Sequence, residues 1–276
     1  MESLQQELVT WKGFAVAVWL AALFLAERLR PAARPAPPAP GEPAGGAGRL
    51  LRNAGLWSLT LLLSVLVVVP LTWWAAEQAL GWRPAWWQGA GGLLLDLLVL
   101  DLLIYWWHRA NHELPLLWRF HEVHHLDRFL DTTSALRFHA GEVLLSAAAR
   151  ALVVLLLGFP FVSVLVFETL VLTATLFHHS NLRLPGGLER ALSRVVITPS
   201  IHWVHHHARR RDTDSNYGTI LSIWDPLFGT RSPTARTPGM AIGVEGRRER
   251  SLGALLLQPF APRAEIAAPA KLPARE

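Results

Sequence analysis

The chain has 276 residues, of which 51% are hydrophobic and 17% charged, with a formal net charge of +5. The charged fraction is below the roughly 25% typical of soluble domains and indicates a membrane protein. The arginines stand beside apolar runs, which argues against nucleic acid as a partner. Because the chain has no cysteine, it forms no disulfide and holds no metal or iron–sulfur cluster through thiolates.

The N-terminal part divides into an anchor and a linker. Residues 1–27 contain an apolar run without the positively charged start of a secretory signal peptide, so we expect a retained membrane anchor. Residues 28–53 are rich in Pro, Ala and Gly, which predicts a flexible linker. Arginines at both ends of this linker favour the cytoplasmic side of the membrane.

Two pairs of apolar segments follow, at 54–76 and 89–107 and then at 143–157 and 161–177. A bilayer crossing needs about 20 apolar residues, so these segments predict an all-α integral membrane bundle of about four to five membrane helices. Both pairs would return to one face, where we expect a cytoplasmic helical cap. The catalytic domain would cover 54–236 and a C-terminal tail 237–276.

Four charged residues interrupt these apolar segments. Asp96 and Asp101 lie in the second segment, and charged groups inside a span are costly enough to be candidates for function. Glu168 in the fourth segment is expected to be the buried partner of Arg150 in the third.

All 12 histidines fall between positions 108 and 207. "HEVHH" (121–125) and "HWVHH" (202–206) repeat the spacing H-x-x-H-H, and "HRANH" (108–112) has the spacing H-x-x-x-H. On a helix, positions i, i+3 and i+4 share one face. "FHHSN" adds a fourth group and His139 stands alone, whereas His207 would point away from the face of its neighbours and is left out.

Neutral imidazole is a ligand for Zn, Fe, Cu and Ni, and one tetrahedral zinc needs only four ligands. Eight to eleven histidines on one membrane face therefore predict a His-rich site for two metal ions. The alternative interpretation is that these histidines are polar residues at the membrane interface.

The chain resembles the fatty acid hydroxylase / sterol desaturase superfamily of integral-membrane di-iron enzymes over about residues 96–230. The resemblance rests on "DLLIYWWHRANHE", "HHLDRFLDTTSALRFHAGE", "LFHHSNLRLP", "TPSIHWVHHH", "DSNYG" and "WDPLFGT". It is greatest to bacterial sterol desaturase family proteins and to the alkylglycerol monooxygenase branch.

The resemblance implies a set of metal ligands, with His139 and His179 as additions to the family positions. One position departs from the pattern, because Ala174 stands where fatty-acyl hydroxylases often have another histidine, and His139 is the candidate to replace it. The implied ligands are His108, His112, His121, His124, His125, His139, His178, His179, His202, His205 and His206.

Asp101, Glu113 and Asn181 are candidates to support the metal ligands from the next layer, since metal-bound imidazoles usually bond a second group. For Asp101 the alternative is a bond to Tyr105 or to a nearby helix. For Glu113 the alternative is a solvated helix end, and for Asn181 it is turn formation.

The resemblance also implies a reaction. Two Fe ions with O2 as co-substrate would hydroxylate a membrane lipid or sterol-like substrate that enters from the bilayer, and desaturation is the second alternative for the reaction. Electrons would come from an external donor, a ferredoxin or reductase or else a pterin. Apart from the resemblance, the bias toward Ala, Arg and Leu suggests a GC-rich bacterium and hence an inner-membrane location, and the topology puts the metal site on the cytoplasmic face.

Two other classes of function stay open at this point. A zinc-dependent membrane hydrolase or other non-redox metalloenzyme would need fewer histidines than the chain offers. A metal transporter or sensor should carry ligands near the bilayer midplane, where these apolar segments have no histidine.

Overall fold

The long apolar helices form a bundle, and the shorter helices gather at one end of it. The computed structural model describes residues 2–38 and 40–262. The α-helices are α1 (Glu2–Leu29), α2 (Ala47–Leu63), α3 (Val69–Glu77), α4 (Gly89–Glu113), α5 (Pro115–His125), α6 (Ala140–Leu157), α7 (Phe161–His179), α8 (Gly186–Leu192), α9 (Pro199–His205), α10 (Arg210–Thr213), α11 (Trp224–Leu227) and α12 (Leu252–Leu257). A π-helical turn, Ser64–Val68, joins α2 to α3, and 3₁₀ turns lie at Thr132–Leu136 and Gln258–Phe260.

Four segments of the described residues are long and apolar enough to cross a membrane: Ala47–Glu77, Gly89–Glu113, Ala140–Leu157 and Phe161–His179. Only 17% to 33% of the most apolar window of each segment is buried inside the bundle, as expected of helices surrounded by lipid. The predicted all-α membrane bundle is confirmed. The predicted anchor is helical from Glu2 onward as part of α1, and its insertion into the bilayer stays a prediction.

The end of the predicted linker is part of the folded bundle. Helix α2 begins at Ala47, and Arg49 in its first turn is buried. Its guanidinium bonds Asp127 at 2.6 Å and Asp131 at 2.8 Å, both in the loop after α5. The expectation of a flexible linker up to residue 53 is therefore wrong for 47–53, because ion pairs to distant residues order this part.

The charged residues inside the apolar segments are paired. Asp96, buried in α4, accepts hydrogen bonds from Trp87 Nε1 (2.7 Å) and Ser163 Oγ (2.6 Å) and pairs with Arg83. This cluster joins the α3–α4 connection to α7, which is a structural role. Arg150 lies 3.1 Å from Glu168, which confirms the predicted pair.

A proline turns the chain across the end of the bundle. Helix α4 ends at Glu113, and α5 starts two residues later at Pro115. Proline has no backbone N–H to donate, and this costs nothing in the first turn of a helix, where the N–H groups have no partner within the helix. Helix α5 therefore lies over the end of α4 instead of continuing it, and α9 packs there against the end of α7. All the histidines except His139 and His207 lie at the ends of these four helices.

Candidate metal centre

Nine histidines converge at this end of the bundle in two groups. Within each group the ring nitrogens that face one another lie within 4.8 Å. The five-histidine group consists of His108, His112, His121, His125 and His205, and the four-histidine group of His124, His179, His202 and His206. Eight of the nine are buried.

The doubled H-x-x-H-H motif divides its ligands between the groups in opposite ways. Helix α5 gives its i, i+4 pair, His121 and His125, to the five-histidine group, and gives His124 to the other. The α9 motif gives its i, i+4 pair, His202 and His206, to the four-histidine group, and gives His205 to the five-histidine group. Each motif thus serves both groups, which explains why the spacing occurs twice.

The protonation of His124 and His179 indicates that a cation belongs between them. Each Nδ1 lies against a backbone carbonyl, at 3.1 Å from Arg137 O and 2.8 Å from Thr175 O, and a carbonyl oxygen can only accept. Both Nδ1 atoms therefore carry the proton, and both Nε2 atoms, 3.0 Å apart, present lone pairs to each other. This contact is repulsive unless a positive ion lies between the two rings.

The spacing and the unpaired nitrogens agree with that interpretation. Imidazoles bound at about 2.0–2.1 Å place adjacent ligand nitrogens roughly 3.0 to 3.4 Å apart. The Nε2 atoms of His202 and His206 lie 3.1 Å apart, and those of His121 and His125 lie 3.2 Å apart. Buried ring nitrogens of His112 and His205 have no hydrogen-bond partner. The donor set fits two metal ions.

Burial also keeps these imidazoles neutral, the form that binds metal. Removal from water, followed by the neighbouring histidines, holds the pKa of His124 well below its ordinary 6.5. The same two causes lower the pKa of His125, His202, His205 and His206.

Three further ligands of the five-histidine group are oriented through Nδ1. His121 Nδ1 lies 2.7 Å from Glu142 Oε1. His108 and His205 donate to the carbonyls of Tyr217 (2.8 Å) and Ser215 (2.7 Å). Each of these bonds fixes the tautomer that leaves Nε2 free for a ligand role.

The loop that supplies the two carbonyls depends on a residue in an unusual conformation. Asn216, between Ser215 and Tyr217, has φ of 53°, in the left-handed region that Asn tolerates better than most residues. Its Oδ1 accepts a bond from Ser232 N at 3.0 Å. Asn216 belongs to the motif "DSNYG" and Glu142 ends the motif "HHLDRFLDTTSALRFHAGE", but Glu142 was not among the predicted site residues.

Two of the predicted ligands are not in either group. His139 caps α6: its Nδ1 accepts from Gly141 N at 2.9 Å and its Nε2 donates to Leu256 O at 3.0 Å, so both nitrogens are used. His139 therefore does not replace the histidine absent at Ala174. His178 packs beside His202 with ring centres 4.1 Å apart, and its neighbour His179 takes the place in the group, because successive helical residues point about 100° apart.

The three proposed supporting residues have other partners in the described part of the chain. Asp101 accepts from Leu221 N (3.1 Å) and Trp224 Nε1 (2.8 Å), and so matches the alternative of a bond to a nearby helix. Glu113 pairs with Arg109 at 2.7 Å on the surface. Asn181 bonds the backbone of Ala33 through both ends of its amide, each at 2.9 Å. Their expected bonds to metal ligands are therefore not formed.

Comparison with known proteins agrees with the geometry. Residues 93–230, half of the chain, match the fatty acid hydroxylase family model. The chain is 32% identical over 189 residues to ornithine lipid hydroxylase OlsE of Rhizobium tropici, which covers 67% of this chain and 56% of that protein. It is 35% identical to alkylglycerol monooxygenase of Danio rerio over 53% of this chain and 32% of that protein.

A third relative is a cholesterol 25-hydroxylase-like protein of Danio rerio, 28% identical over 63% of this chain and 72% of that protein. The chain thus spans about half the length of the ornithine lipid hydroxylase and about a third of the length of the alkylglycerol monooxygenase. No solved structure shows significant similarity. Because the family model covers half of the sequence, the chain belongs to the fatty acid hydroxylase family, and all nine grouped histidines lie within the matched region.

Proposed function

We propose that the protein hydroxylates a membrane lipid, using two Fe ions, O2 and electrons from a separate donor. The observation that carries this proposal is the pair of buried histidine groups at the end of an apolar bundle. The relatives support a lipid substrate, since two of them are named as hydroxylating or oxygenating an ornithine lipid and an alkylglycerol.

In this proposal the five-histidine group holds one ion and the four-histidine group the other. Iron held in this way supplies O2 activation and the oxidation of an unactivated C–H bond. The chain contributes neutral imidazoles whose Nδ1 protons are held by Arg137 O, Thr175 O, Ser215 O, Tyr217 O and Glu142. Their burial excludes water from the reacting end of the substrate.

The location of the histidines favours a substrate that comes from the bilayer. Helices α4 and α7 are membrane-capable and carry histidines in their last turns, so a lipid chain between the helices would have its polar end near the groups. We place this end at the cytoplasmic face of a bacterial inner membrane. Exposed Arg30 and Arg183 beside the helix ends support that orientation. The electron donor is a ferredoxin or reductase, or a pterin.

The test is metal analysis combined with lipid mass spectrometry. Wild-type protein purified without oxygen should contain two iron ions per chain, and cells that express it should contain a lipid one oxygen atom heavier, labelled when 18O2 is supplied. The product should vanish with His124→Ala and persist with His207→Gln, since His207 lies outside both groups and bonds Asp212. Activity restored by zinc without O2 would contradict the proposal and favour a hydrolase.

A further inference from the structure

The C-terminal segment, residues 239–261, crosses the metal-bearing end of the bundle, and we call it the C-terminal strap. Gly243 N donates to His206 O at 3.1 Å, and Gln258 Nε2 donates to Glu122 Oε2 at 2.9 Å. Leu255 is buried against Leu56 and Val123. The strap lies beyond residue 230, where the match to the family model ends.

A buried arginine connects the strap to the four-histidine group. Arg137 is fully buried, and its Nη1 and Nη2 donate to the two carboxylate oxygens of Glu249 at 3.1 and 2.9 Å. Its Nε donates to Val123 O at 2.8 Å, in the residue before His124. Its own carbonyl accepts the Nδ1 proton of His124 at 3.1 Å. Arg137 therefore fixes both the backbone and the ring of one ligand.

Glu249 neutralises this guanidinium with both oxygens, and a bidentate pair of this kind restricts orientation as well as balancing charge. The five-histidine group takes its corresponding bonds from Glu142, Ser215 and Tyr217, which are independent of Glu249. A change at Glu249 should therefore act on one group more than on the other.

We propose that Glu249 is a positioning residue for the four-histidine group and acts through Arg137. The strap thereby contributes to metal binding from outside the matched family region. This inference rests on the proposed binding of two metal ions. Loss of a group that orients a metal ligand typically lowers metal affinity about 10–100-fold.

The experiment titrates the full-length protein with Co²⁺, whose absorption reports its ligands, after the protein is stripped of metal by chelation in lipid nanodiscs. Wild-type protein should bind two ions. Glu249→Gln should bind one ion as wild type does and the second about 10–100-fold more weakly. His124→Ala identifies which absorption belongs to the four-histidine group. Glu245 is an exposed carboxylate of the strap, so the control variant Glu245→Gln should bind both ions as wild type does.

Glu249→Asp is the second variant, for the case in which Glu249→Gln does not fold. It keeps the charge, shortens the side chain and should show a smaller loss of metal affinity at the same site. Both ions bound by the folded variants with wild-type affinity, or both weakened equally, would overturn the positioning role. Wild-type protein that binds no Co²⁺ would instead overturn the two-metal proposal itself. The two failures are therefore distinguishable.

Discussion

Replacing Arg49 should destabilise the protein strongly, although composition assigns this residue to a linker. Its guanidinium bonds Asp127 through two nitrogens at 2.6 and 2.8 Å, Asp131 at 2.8 Å, and Ser134 Oγ at 2.8 Å. Arg49→Met keeps much of the aliphatic stem but leaves two carboxylates without their cation. Asp127 is fully buried, so the expected loss is that of breaking a buried ion pair, about 3–5 kcal/mol.

Thermal unfolding of protein in detergent, followed by tryptophan fluorescence, measures this loss. At about 2–4 °C per kcal/mol, Arg49→Met should lower Tm by roughly 6–20 °C. Arg34→Met, an exposed arginine of the same segment, should change the stability by less than about 0.5 kcal/mol. Arg49→Met with the Tm of wild type would show that this network contributes nothing to stability and that 47–53 behaves as the linker first expected.

Four other outcomes are expected. Glu142→Gln should weaken retention of one ion about 10–100-fold in metal analysis, and full retention would contradict the role given to its bond with His121. His139→Gln should keep both ions but lower Tm, whereas loss of an ion would make His139 a ligand. Arg150→Met should lower Tm by removing the positive charge beside Glu168, and the double variant with Glu168→Gln should regain part of that Tm. A double variant with a lower Tm than Arg150→Met alone would refute this. Burial and the neighbouring histidines keep the pKa of His206 well below 6.5. Metal-free protein should therefore lose stability as the pH falls below about 6.5, because the unfolded chain takes up protons that the folded chain does not. A Tm that does not change with pH in that range would exclude this.

The sequence predicts most of the centre because helical spacing is a local property. Positions i, i+3 and i+4 must share a face, so "HEVHH" and "HWVHH" could be assigned to a two-metal site before any contact was known. The apolar segments likewise predict the bundle, since length and composition decide whether a helix can cross a membrane.

Tertiary contacts decided what the sequence could not. His178 and His179 are adjacent on one helix, and only the packing of α9 against α7 selects His179. His139 has the right side chain, but Gly141 and Leu256 occupy both of its nitrogens. Arg49 finds its partners 78 and 82 residues along the chain, a distance at which composition carries no signal.

The contacts that enclose the histidines also constrain when the centre can form during synthesis. Glu27 holds the backbone of Thr132 and Asn181, 105 and 154 residues later, and Arg137 meets Glu249 after 112 residues. Such pairings close large loops, which is slow compared with the formation of the helices themselves. The membrane helices can therefore be inserted one after another while the chain is still emerging, but the enclosure around the four-histidine group is completed only after residue 249 has been made. In the function proposed above, the ion of the four-histidine group would therefore reach its final surroundings only late in the maturation of this protein.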